Sequence, residues 1–398
     1  GGPSGGAGGG PAERPGGGGR ARRAAGGGPR AARGGVFAVP GATGEVGRLV
    51  VADLLARGLP VRALVRDPEK ARAVLPAEAL AEGLLETVEC DLSDVASVRA
   101  ALGPETSRVL WCALGDGRER SRAENAKGTV GTALRALKMK LGLGQKSAPT
   151  SLPEVQPDAE TGLDAAAAAM SEREGGKVVF LSSAAVTRPA WADWKKDQFI
   201  GVVDIPIVRL NPFGVLDRTR LAENRLRGAG CAYSVVRPVG LRNSTGKKSW
   251  PRGRPLVLQG DVLVGRANRE DVASVLVEAA LSQEADGKSF EMCTLAGDAY
   301  PAPGDFGPAF SRLLSDEQRA TMGEDVGFGA SEPTAAGEAF VQGQYLLAAQ
   351  LLPGEAQDAT KLEMGRTYEE VDQGKVSRER GAAPTEREVR VATAGEAR

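Results

Sequence analysis

Histidine is absent from the 398-residue sequence. Its absence excludes a Ser-His-Asp triad, a Cys-His pair and histidine ligands for zinc, and it leaves proton transfer to Tyr, Lys, Asp, Glu, Ser or water. Aromatic residues amount to only 4%, whereas apolar residues as a whole reach 41%. The chain can therefore form a core, but one built mainly from Ala, Val and Leu.

Cysteine is almost as scarce, with four residues. No two of them form a Cys-x-x-Cys pair, so the sequence predicts no thiolate metal site. Three lie in or beside apolar, strand-like runs, which favours buried free thiols in a reducing compartment. The four are Cys90, Cys112, Cys231 and Cys293.

An excess of charge of either sign is missing as well. The 51 basic and 51 acidic residues cancel, which gives no general reason to expect a nucleic acid as partner. A continuous uncharged apolar run of about 18 residues, the minimum for a membrane span, is also absent. We therefore expect neither nucleic-acid binding nor a transmembrane segment.

Residues 1–35 are nearly all Gly, Ala, Pro and Arg, with six arginines against the single acid Glu13. Such a segment cannot bury enough apolar surface to fold, so we expect a disordered N-terminal arm. Its composition fits either the remnant of an organelle transit peptide or a low-complexity tail of a GC-rich genome. Because the chain begins with Gly1, we also expect a fragment or a processed form.

Beyond the arm, short apolar runs alternate with amphipathic segments over residues 36–296. Alternation at this spacing predicts an α/β domain with a parallel sheet covered on both faces. The predicted helices are Glu45–Arg57, Glu69–Leu75 and Val95–Leu102, and the ordered chain is expected to resume at Gly162–Ser171. The predicted strands are Val36–Pro40, Val61–Val65, Leu85–Cys90, Val109–Leu114, Val178–Ser182, Tyr233–Pro238 and Ser289–Cys293.

Three segments interrupt or follow the alternation. Residues 115–160, with charge clusters and prolines, predict an insertion with one helix near Ala123–Leu141. The loop Thr187–Pro212 holds two tryptophans and suits a ligand pocket, a partner surface or a lid packed on its own core. Residues 297–398 predict an irregular, partly helical C-terminal extension, with a helix at Ala335–Leu352. The charged end of the chain is expected to be disordered or to fold onto a partner.

A glycine pattern separates the first strand from the first helix. Gly41 permits a tight turn, Gly44 lets a diphosphate approach the backbone, and Gly47 lets the helix pack closely on the sheet. The N–H groups at the helix start then face the phosphates. The pattern predicts a Rossmann-type, doubly wound sheet that binds a dinucleotide. Its predicted contacts are Gly41, Ala42, Thr43, Gly44, Glu45, Val46 and Gly47.

Arg66 lies where the second strand ends, the place that meets the adenosine ribose in such a fold. A basic residue there suits the 2′-phosphate of NADP, and Arg62 and Lys70 lie nearby in sequence. Asp67 follows, and it either binds the 2′-hydroxyl of NAD or caps the helix after Pro68. We favour NADP(H) over NAD(H).

Asp91 follows the third strand in the same way. It either reaches the adenine edge or starts the next helix, a task for which Ser93 and Asp94 compete. We include Asp91 among the predicted cofactor contacts.

The run from Gly41 to Ala71 resembles the start of atypical short-chain dehydrogenases/reductases, of the NmrA-like and plastid NAD(P)-binding kind. Four later segments agree with this resemblance, which spans about residues 36–296. It implies a Rossmann fold of about seven parallel strands with NADP(H) in its cleft. The four segments are Lys177–Pro189, Asn211–Glu223, Cys231–Leu241 and Gly265–Ala273.

Catalytic members of this family use a Ser, a Tyr and a Lys. The Lys lowers the pKa of the Tyr, which transfers the proton while hydride moves to or from the nicotinamide. The resemblance places Ser183 at the serine position, but Val215 and Thr219 at the Tyr and Lys positions. Arg218 and Arg220 flank the Lys position and point elsewhere on a helix, since each residue turns by about 100°.

Three further residues bear on the reaction. The resemblance places Pro238 beside the nicotinamide, although a proline there can simply end the strand. Tyr233 starts a strand and is expected in the core, so it is a poor substitute for the missing Tyr. Asp217 could face the cleft.

Two functions fit these residues. The first is a weak or unusual NADP-dependent reductase of an unknown small molecule, supported by Ser183 and by the loop Gly41–Gly47, which we call the phosphate loop. The second is a non-catalytic nucleotide-binding scaffold or redox-sensing assembly factor for an organelle complex, supported by Val215 and Thr219. The resemblance and the arm indicate a plastid, with the cytoplasm as the alternative.

Overall fold

The structure, a computed structural model, describes Gly1 and residues 35–113, 161–211, 214–246, 249–296, 305–324 and 334–351. Most of the predicted arm, the insertion at 115–160 with its helix Ala123–Leu141, and the charged end of the chain lie outside the described residues. From Gly35 onward the chain forms one unit.

The first half of this unit alternates strands with helices. Its inner strands are rich in Val and Leu and are largely buried, as parallel strands covered on both faces are, whereas the edge strand β3 is mostly half-buried or exposed. The elements are β1 (Val36–Pro40), α1 (Gly47–Ala56), β2 (Val61–Val65), α2 (Pro68–Arg72), α3 (Ala77–Ala81), β3 (Leu85–Glu89), α4 (Val95–Leu102) and β4 (Thr106–Trp111).

The second half adds three inner strands and an edge strand to the main sheet, a small separate pair of strands, and both short and long helices. Two 3₁₀ turns, Arg188–Ala190 and Gln283–Ala285, interrupt it. The elements are α5 (Gly162–Ser171), β5 (Lys177–Leu181), α6 (Asp193–Gln198), α7 (Ile200–Val203), α8 (Pro206–Leu210), α9 (Val215–Gly228), β6 (Ala232–Pro238), β7 (Gly240–Arg242), β8 (Gly253–Leu258), β9 (Arg266–Asn268), α10 (Arg269–Leu281), β10 (Lys288–Ala296), α11 (Gly307–Ser311), α12 (Asp316–Thr321) and α13 (Ala335–Leu351).

The main sheet has eight strands in the order β3-β2-β1-β4-β5-β6-β10-β8. Every neighbouring pair is parallel except β10 and β8. This is the doubly wound Rossmann arrangement that the alternation predicts. The antiparallel edge strand was not predicted, because Arg254 and Pro255 break the apolar pattern of β8. A small parallel pair, β7 and β9, stands beside the main sheet.

The strand order reverses between β1 and β4, which both lie beside the phosphate loop. In open α/β sheets a ligand binds in the crevice at the carboxyl ends of the strands, at such a reversal. The topology therefore directs attention to the ends of β1, β4 and β5.

Helices cover both faces of the sheet. Val50 and Leu54 of α1 and Leu276 of α10 pack into the cluster on one face, and Val98 of α4 and Ala166 of α5 pack into the other. The core is made mainly of Ala, Val and Leu, as the composition predicts.

Three cysteines confirm their prediction as buried free thiols: Cys90, Cys112 and Cys293. Burial raises the pKa of the Cys112 and Cys293 thiols to about 12, so they are inert at neutral pH. Cys231 is half-buried.

The C-terminal extension is partly helical, as predicted, and it contributes to the same core through Phe306 and Phe310. Its longest helix, α13, begins at the predicted Ala335. The predicted helix Glu69–Leu75 corresponds to α2, which spans Pro68–Arg72, and a second short helix, α3, follows Pro76 and was not predicted.

Candidate functional site

The loop between β1 and α1 is a tight turn whose glycines are required by their surroundings. Gly41 has φ +81°, and a Cβ there would lie 2.7 Å from the backbone nitrogen of Ala113. A Cβ on Gly47 would lie 2.1 Å from the carbonyl oxygen of Gly41. These two positions exclude any side chain without a backbone shift.

Gly44 differs from its neighbours in the loop because it is exposed. Its N–H donates to the Gly41 carbonyl at 2.9 Å, and a Cβ there would meet only that carbonyl oxygen, at 3.2 Å. Thr43 and Glu45 are exposed beside it, whereas Ala42 and Val46 are buried. The surface at Gly44 is thus bare backbone, which an anion can approach.

The amino end of α1 is not satisfied by any side chain. Its N-cap residue is Val46, which makes no side-chain cap hydrogen bond, and the first turn holds no acid. Within the described part of the chain, no acceptor is found for the N–H groups of Val46 and Gly47. An uncapped helix start with a bare glycine backbone fits a diphosphate group.

Arg66 is exposed just beyond β2, at the carboxyl edge of the sheet. Asp67 is the N-cap of α2 and accepts from the Lys70 N–H at 3.1 Å. Hydrogen bonds from Lys70, which also contacts Asp67 through Nζ at 2.8 Å, hold the pKa of this carboxyl below its usual value. Of the two interpretations of Asp67, the helix cap is therefore the one present in the structure.

Arg62 does not lie near Arg66, contrary to the expectation from sequence. Its guanidinium donates to Glu86 at 2.8 Å and to the Leu102 carbonyl at 2.7 Å, and it also pairs with Glu105. These partners lie towards the amino ends of the strands. Arg62 therefore belongs to the opposite edge of the sheet, because it is four residues upstream of Arg66.

Asp91 is exposed after β3 and accepts from the Ser93 N–H at 2.9 Å and the Ser93 hydroxyl at 2.7 Å. The next helix is capped by Asp94 instead, which accepts from the Ala96 N–H at 2.9 Å. Asp94 thus performs the capping task, and Asp91 stays at the carboxyl edge of the sheet.

Ser183 lies in the turn that follows β5. Its hydroxyl donates to the Ala184 carbonyl at 2.9 Å, and the Ala184 N–H donates to the Pro238 carbonyl at 3.0 Å. Pro238 is buried at the end of β6. Ser183 and Pro238 are therefore neighbours at the carboxyl edge of the sheet.

Val215 and Thr219, which the family resemblance places at the Tyr and Lys positions, lie in the first turns of α9. The Thr219 hydroxyl donates to the Val215 carbonyl at 2.8 Å, so it is bonded to its own helix. Asp217 accepts from the Asn211 amide at 2.7 Å. Neither Val215 nor Thr219 can transfer a proton as the Tyr–Lys pair does.

Tyr233 confirms its expected role in the packing. It lies near the amino end of β6, and its hydroxyl donates to Asp316 at 3.1 Å. Burial and the neighbouring Asp316 raise the pKa of this phenol further. It cannot replace the missing Tyr.

A cluster of charged residues beneath β6 and β10 was not predicted as a unit. Arg237 donates to Glu223 at 3.0 Å, and Arg227 joins Glu223, at 3.0 Å, to Asp316, at 2.9 Å. Burial alone would raise the pKa of Glu223, but Arg237 and Arg227 overcome it and hold that pKa below its usual value. We call Glu223, Arg227, Arg237, Asp316, Arg319 and Glu324 the ion cluster.

Asp261 connects the Ser183 turn to this region. Its buried carboxylate accepts from the Ala185 N–H at 2.6 Å and from the Thr187 N–H at 2.8 Å. Ala185 has φ +80°, which is rare for a residue with a side chain. The carboxylate of Asp261 thus stabilises an unfavourable backbone conformation two residues from Ser183. In the sequence, the only sign of these buried charged groups is a charged residue inside an apolar run, such as Arg237.

The loop that holds Trp191 and Trp194 packs largely against the protein's own buried side chains. The Trp191 indole donates to the Thr187 hydroxyl at 3.0 Å, and its ring meets Phe199 edge to face at 6.1 Å. Phe199 contacts Tyr345 of α13 in the same way, at 5.1 Å. Trp194 is 43% exposed.

Among the helices of the described residues, none has the length and apolar character needed to cross a membrane.

This chain is similar to several known proteins. An uncharacterized chloroplastic protein of Arabidopsis thaliana is 28% identical over 265 residues, which are 65% of this chain and 76% of that protein.

Two solved structures are also similar. A short-chain dehydrogenase/reductase from Veillonella parvula in complex with NADP has a TM-score of 0.41 at 15% identity, covering 68% of this chain and 99% of its own. An anaerobillin reductase from Escherichia coli has a TM-score of 0.38 at 17% identity, covering 65% of this chain and 97% of its own.

The NAD(P)H-binding family model matches residues 41–283, which begin at the first loop glycine. The chain therefore belongs to the NAD(P)H-binding family.

Proposed function

We propose that this protein holds NADP(H) at the loop between β1 and α1 and responds to the redox state of the nucleotide, without the proton relay of catalytic relatives. The observation that carries this proposal is the start of α9. There an aliphatic side chain, Val215, and a hydroxyl bonded to its own helix, Thr219, stand at the positions that the resemblance assigns to the Tyr and Lys.

The residues that would hold the cofactor follow from their placement. The turn Gly41–Gly47 and the uncapped start of α1 would bind the diphosphate, and Arg66 would bind the ribose 2′-phosphate, because its side chain is exposed at the end of β2. Asp91 and Pro238 would border the adenine and nicotinamide ends. When bound, the cofactor supplies a nicotinamide that can accept or release hydride.

A plastid location is part of this proposal. It is supported by the chloroplastic name of the Arabidopsis relative and by the Arg-rich composition of residues 1–35. In that setting the protein would act as a scaffold or assembly factor whose state depends on NADP(H).

The binding part is tested by titrating NADPH, NADP⁺ and NADH into wild type and Gly44→Val. The bulky side chain should block the diphosphate and weaken binding at least tenfold, with folding retained because Gly44 is exposed. Gly228→Val is the matched control, since a Cβ there meets nothing within 4 Å. Equal affinity of wild type and Gly44→Val would refute the site.

The sensing part requires that NADPH and NADP⁺ bind with different affinities, because a ligand shifts an equilibrium only through differential affinity. We expect at least a tenfold difference. Equal dissociation constants would refute sensing while leaving binding intact.

A weak reductase is the second candidate, and Ser183 beside Pro238 is the observation in its favour. It predicts NADPH oxidation with some member of a carbonyl or quinone panel, and loss of that turnover in Ser183→Ala. The first proposal predicts only background oxidation, equal in both proteins.

A further inference from the structure

Arg269 connects the first turn of α10 to the phosphate loop. Its Nη2 lies 2.8 Å from Oε2 of Glu45, which sits in the loop between Gly44 and Val46. The second anchor is Asn243, whose side-chain oxygen accepts from Arg269 Nη1 at 3.0 Å. The guanidinium is thus held between a side chain of the phosphate loop and Asn243.

The chain path explains this closeness. β7 follows β6 after one residue, β9 pairs with β7, and Arg269 comes immediately after β9. All of these segments lie at the carboxyl edge of the sheet, the edge from which the loop after β1 also emerges. α10 then runs back against α1 and meets it again at Arg57, whose guanidinium contacts Glu278 at 2.7 Å.

The two partners of this ion pair are unequally exposed. The Arg269 side chain is 18% exposed, whereas that of Glu45 is 61% exposed. Within the described part of the chain, Arg269 Nε is buried and has no hydrogen-bond partner. Glu45 can therefore move into solvent at little cost, while Arg269 stays with donors still to be satisfied.

We propose that Arg269 binds the diphosphate of the dinucleotide, and that the Glu45 carboxylate occupies the place of a phosphate oxygen until the nucleotide arrives. The inference rests on the proposed binding at the loop and deepens it. A guanidinium forms paired, charge-assisted bonds to phosphate, which the neutral backbone of the loop cannot supply. Glu45, in contrast, repels the incoming anion and competes for the same donors.

The proposal predicts opposite changes in NADPH affinity when Arg269 and when Glu45 is replaced. Arg269→Gln should weaken NADPH binding by about 10- to 100-fold, the range for a hydrogen bond to a charged group. Glu45→Gln should strengthen binding several-fold, because it removes the competing charge. An ion pair that served only to hold the loop in shape would weaken binding in both variants.

The experiment titrates NADPH, ADP and adenosine 2′-monophosphate into the full chain and its variants, with circular dichroism to verify folding. For Arg269→Gln we expect the loss with NADPH and ADP, but not with adenosine 2′-monophosphate, which lacks the diphosphate. Arg57→Gln is the matched control, since it breaks the other α1–α10 ion pair far from the loop, and its affinities should equal those of wild type.

Unchanged ADP affinity in Arg269→Gln, an equal loss with adenosine 2′-monophosphate, or weaker binding in Glu45→Gln would each overturn the proposal. If Arg269→Gln does not fold, the sign measured with Glu45→Gln decides. Failure of wild type to bind NADPH would refute the proposed function instead, so the two failures are distinguishable.

Discussion

The phosphate loop and the ion cluster lie in the same Rossmann unit and are built in opposite ways. The loop makes its surface from backbone, with two glycines that admit no side chain and a helix start without a cap. The ion cluster consists of long charged side chains that are buried, such as Arg237 and Glu223, each 0% exposed. One region leaves polar groups for a ligand, and the other satisfies nearly all of them internally.

The ion cluster also shows what α9 does in this chain. Its first turns carry Val215 and Thr219, and its later turns carry Glu223 and Arg227 into the ion cluster. Arg227 reaches Asp316 of α12, so α9 is tied to the C-terminal extension. The helix therefore acts as a structural link between the sheet and the extension.

The largest expected effect is on the stability of the ion cluster. Arg237→Ala removes one of the two arginines that pair with Glu223 and unbalances a fully buried charged network, which should lower the free energy of unfolding by about 3–5 kcal/mol. Chemical denaturation measures this change. Arg209→Ala, which breaks the partly exposed pair with Asp204, is the control and should cost at most about 1 kcal/mol. Similar losses in both variants would contradict a special role for the cluster.

The second effect is the pH dependence of stability, in which Glu291 differs from the buried carboxylates of the ion cluster. Burial and the neighbouring Asp261 raise the pKa of Glu291 to about 7, above its unfolded value. The folded state then holds the proton over a range in which the unfolded state has lost it. Stability from this group is complete at low pH and falls as pH rises from about 4.5 to about 7.

Glu291→Gln removes this dependence. The unfolding free energy of wild type relative to Glu291→Gln should therefore fall by on the order of 3 kcal/mol between pH 5 and pH 8. Glu223 and Asp316, whose pKa values are lowered, act in the opposite sense and lose their contribution as pH falls. A difference between the two proteins that stays constant across this range would show that Glu291 is ionised throughout.

The smallest effect separates the two kinds of glycine in the loop. Gly47→Ala places a Cβ against the Gly41 carbonyl and should lower the unfolding free energy by about 1–2 kcal/mol. Gly44→Ala meets only one contact, at 3.2 Å, and should change stability by less than about 0.5 kcal/mol. Thermal unfolding of the two variants side by side measures both. Equal losses would mean that packing alone accounts for every loop glycine.

The loop could be predicted from sequence because its determinants are local. Gly41, Gly44 and Gly47 lie within one turn between a strand and a helix, and each has a task set by backbone geometry. The parallel core strands could be predicted for a related reason, since their Val- and Leu-rich runs are contiguous.

The ion cluster could not be predicted because its members come together only in the folded chain. Arg227 and Asp316, for example, are 89 positions apart. The edge strand β8 was missed because an edge tolerates Arg254 and Pro255, which break the apolar pattern. Arg62 shows a related limit, because closeness to Arg66 in sequence does not give the edge of the sheet on which a side chain lies.

Val46, which precedes α1, has a consequence for the stability of the native state. A serine or aspartate at that position would stabilise the helix start at all times, whereas Val46 leaves this stabilisation to whatever binds there. With the proposed nucleotide bound there, mass action would couple the stability of the native state to the nucleotide pool, by about 2.7 kcal/mol at a hundredfold excess over the dissociation constant. A cell that depletes its nicotinamide nucleotide would lower the abundance of this protein as well as its occupancy.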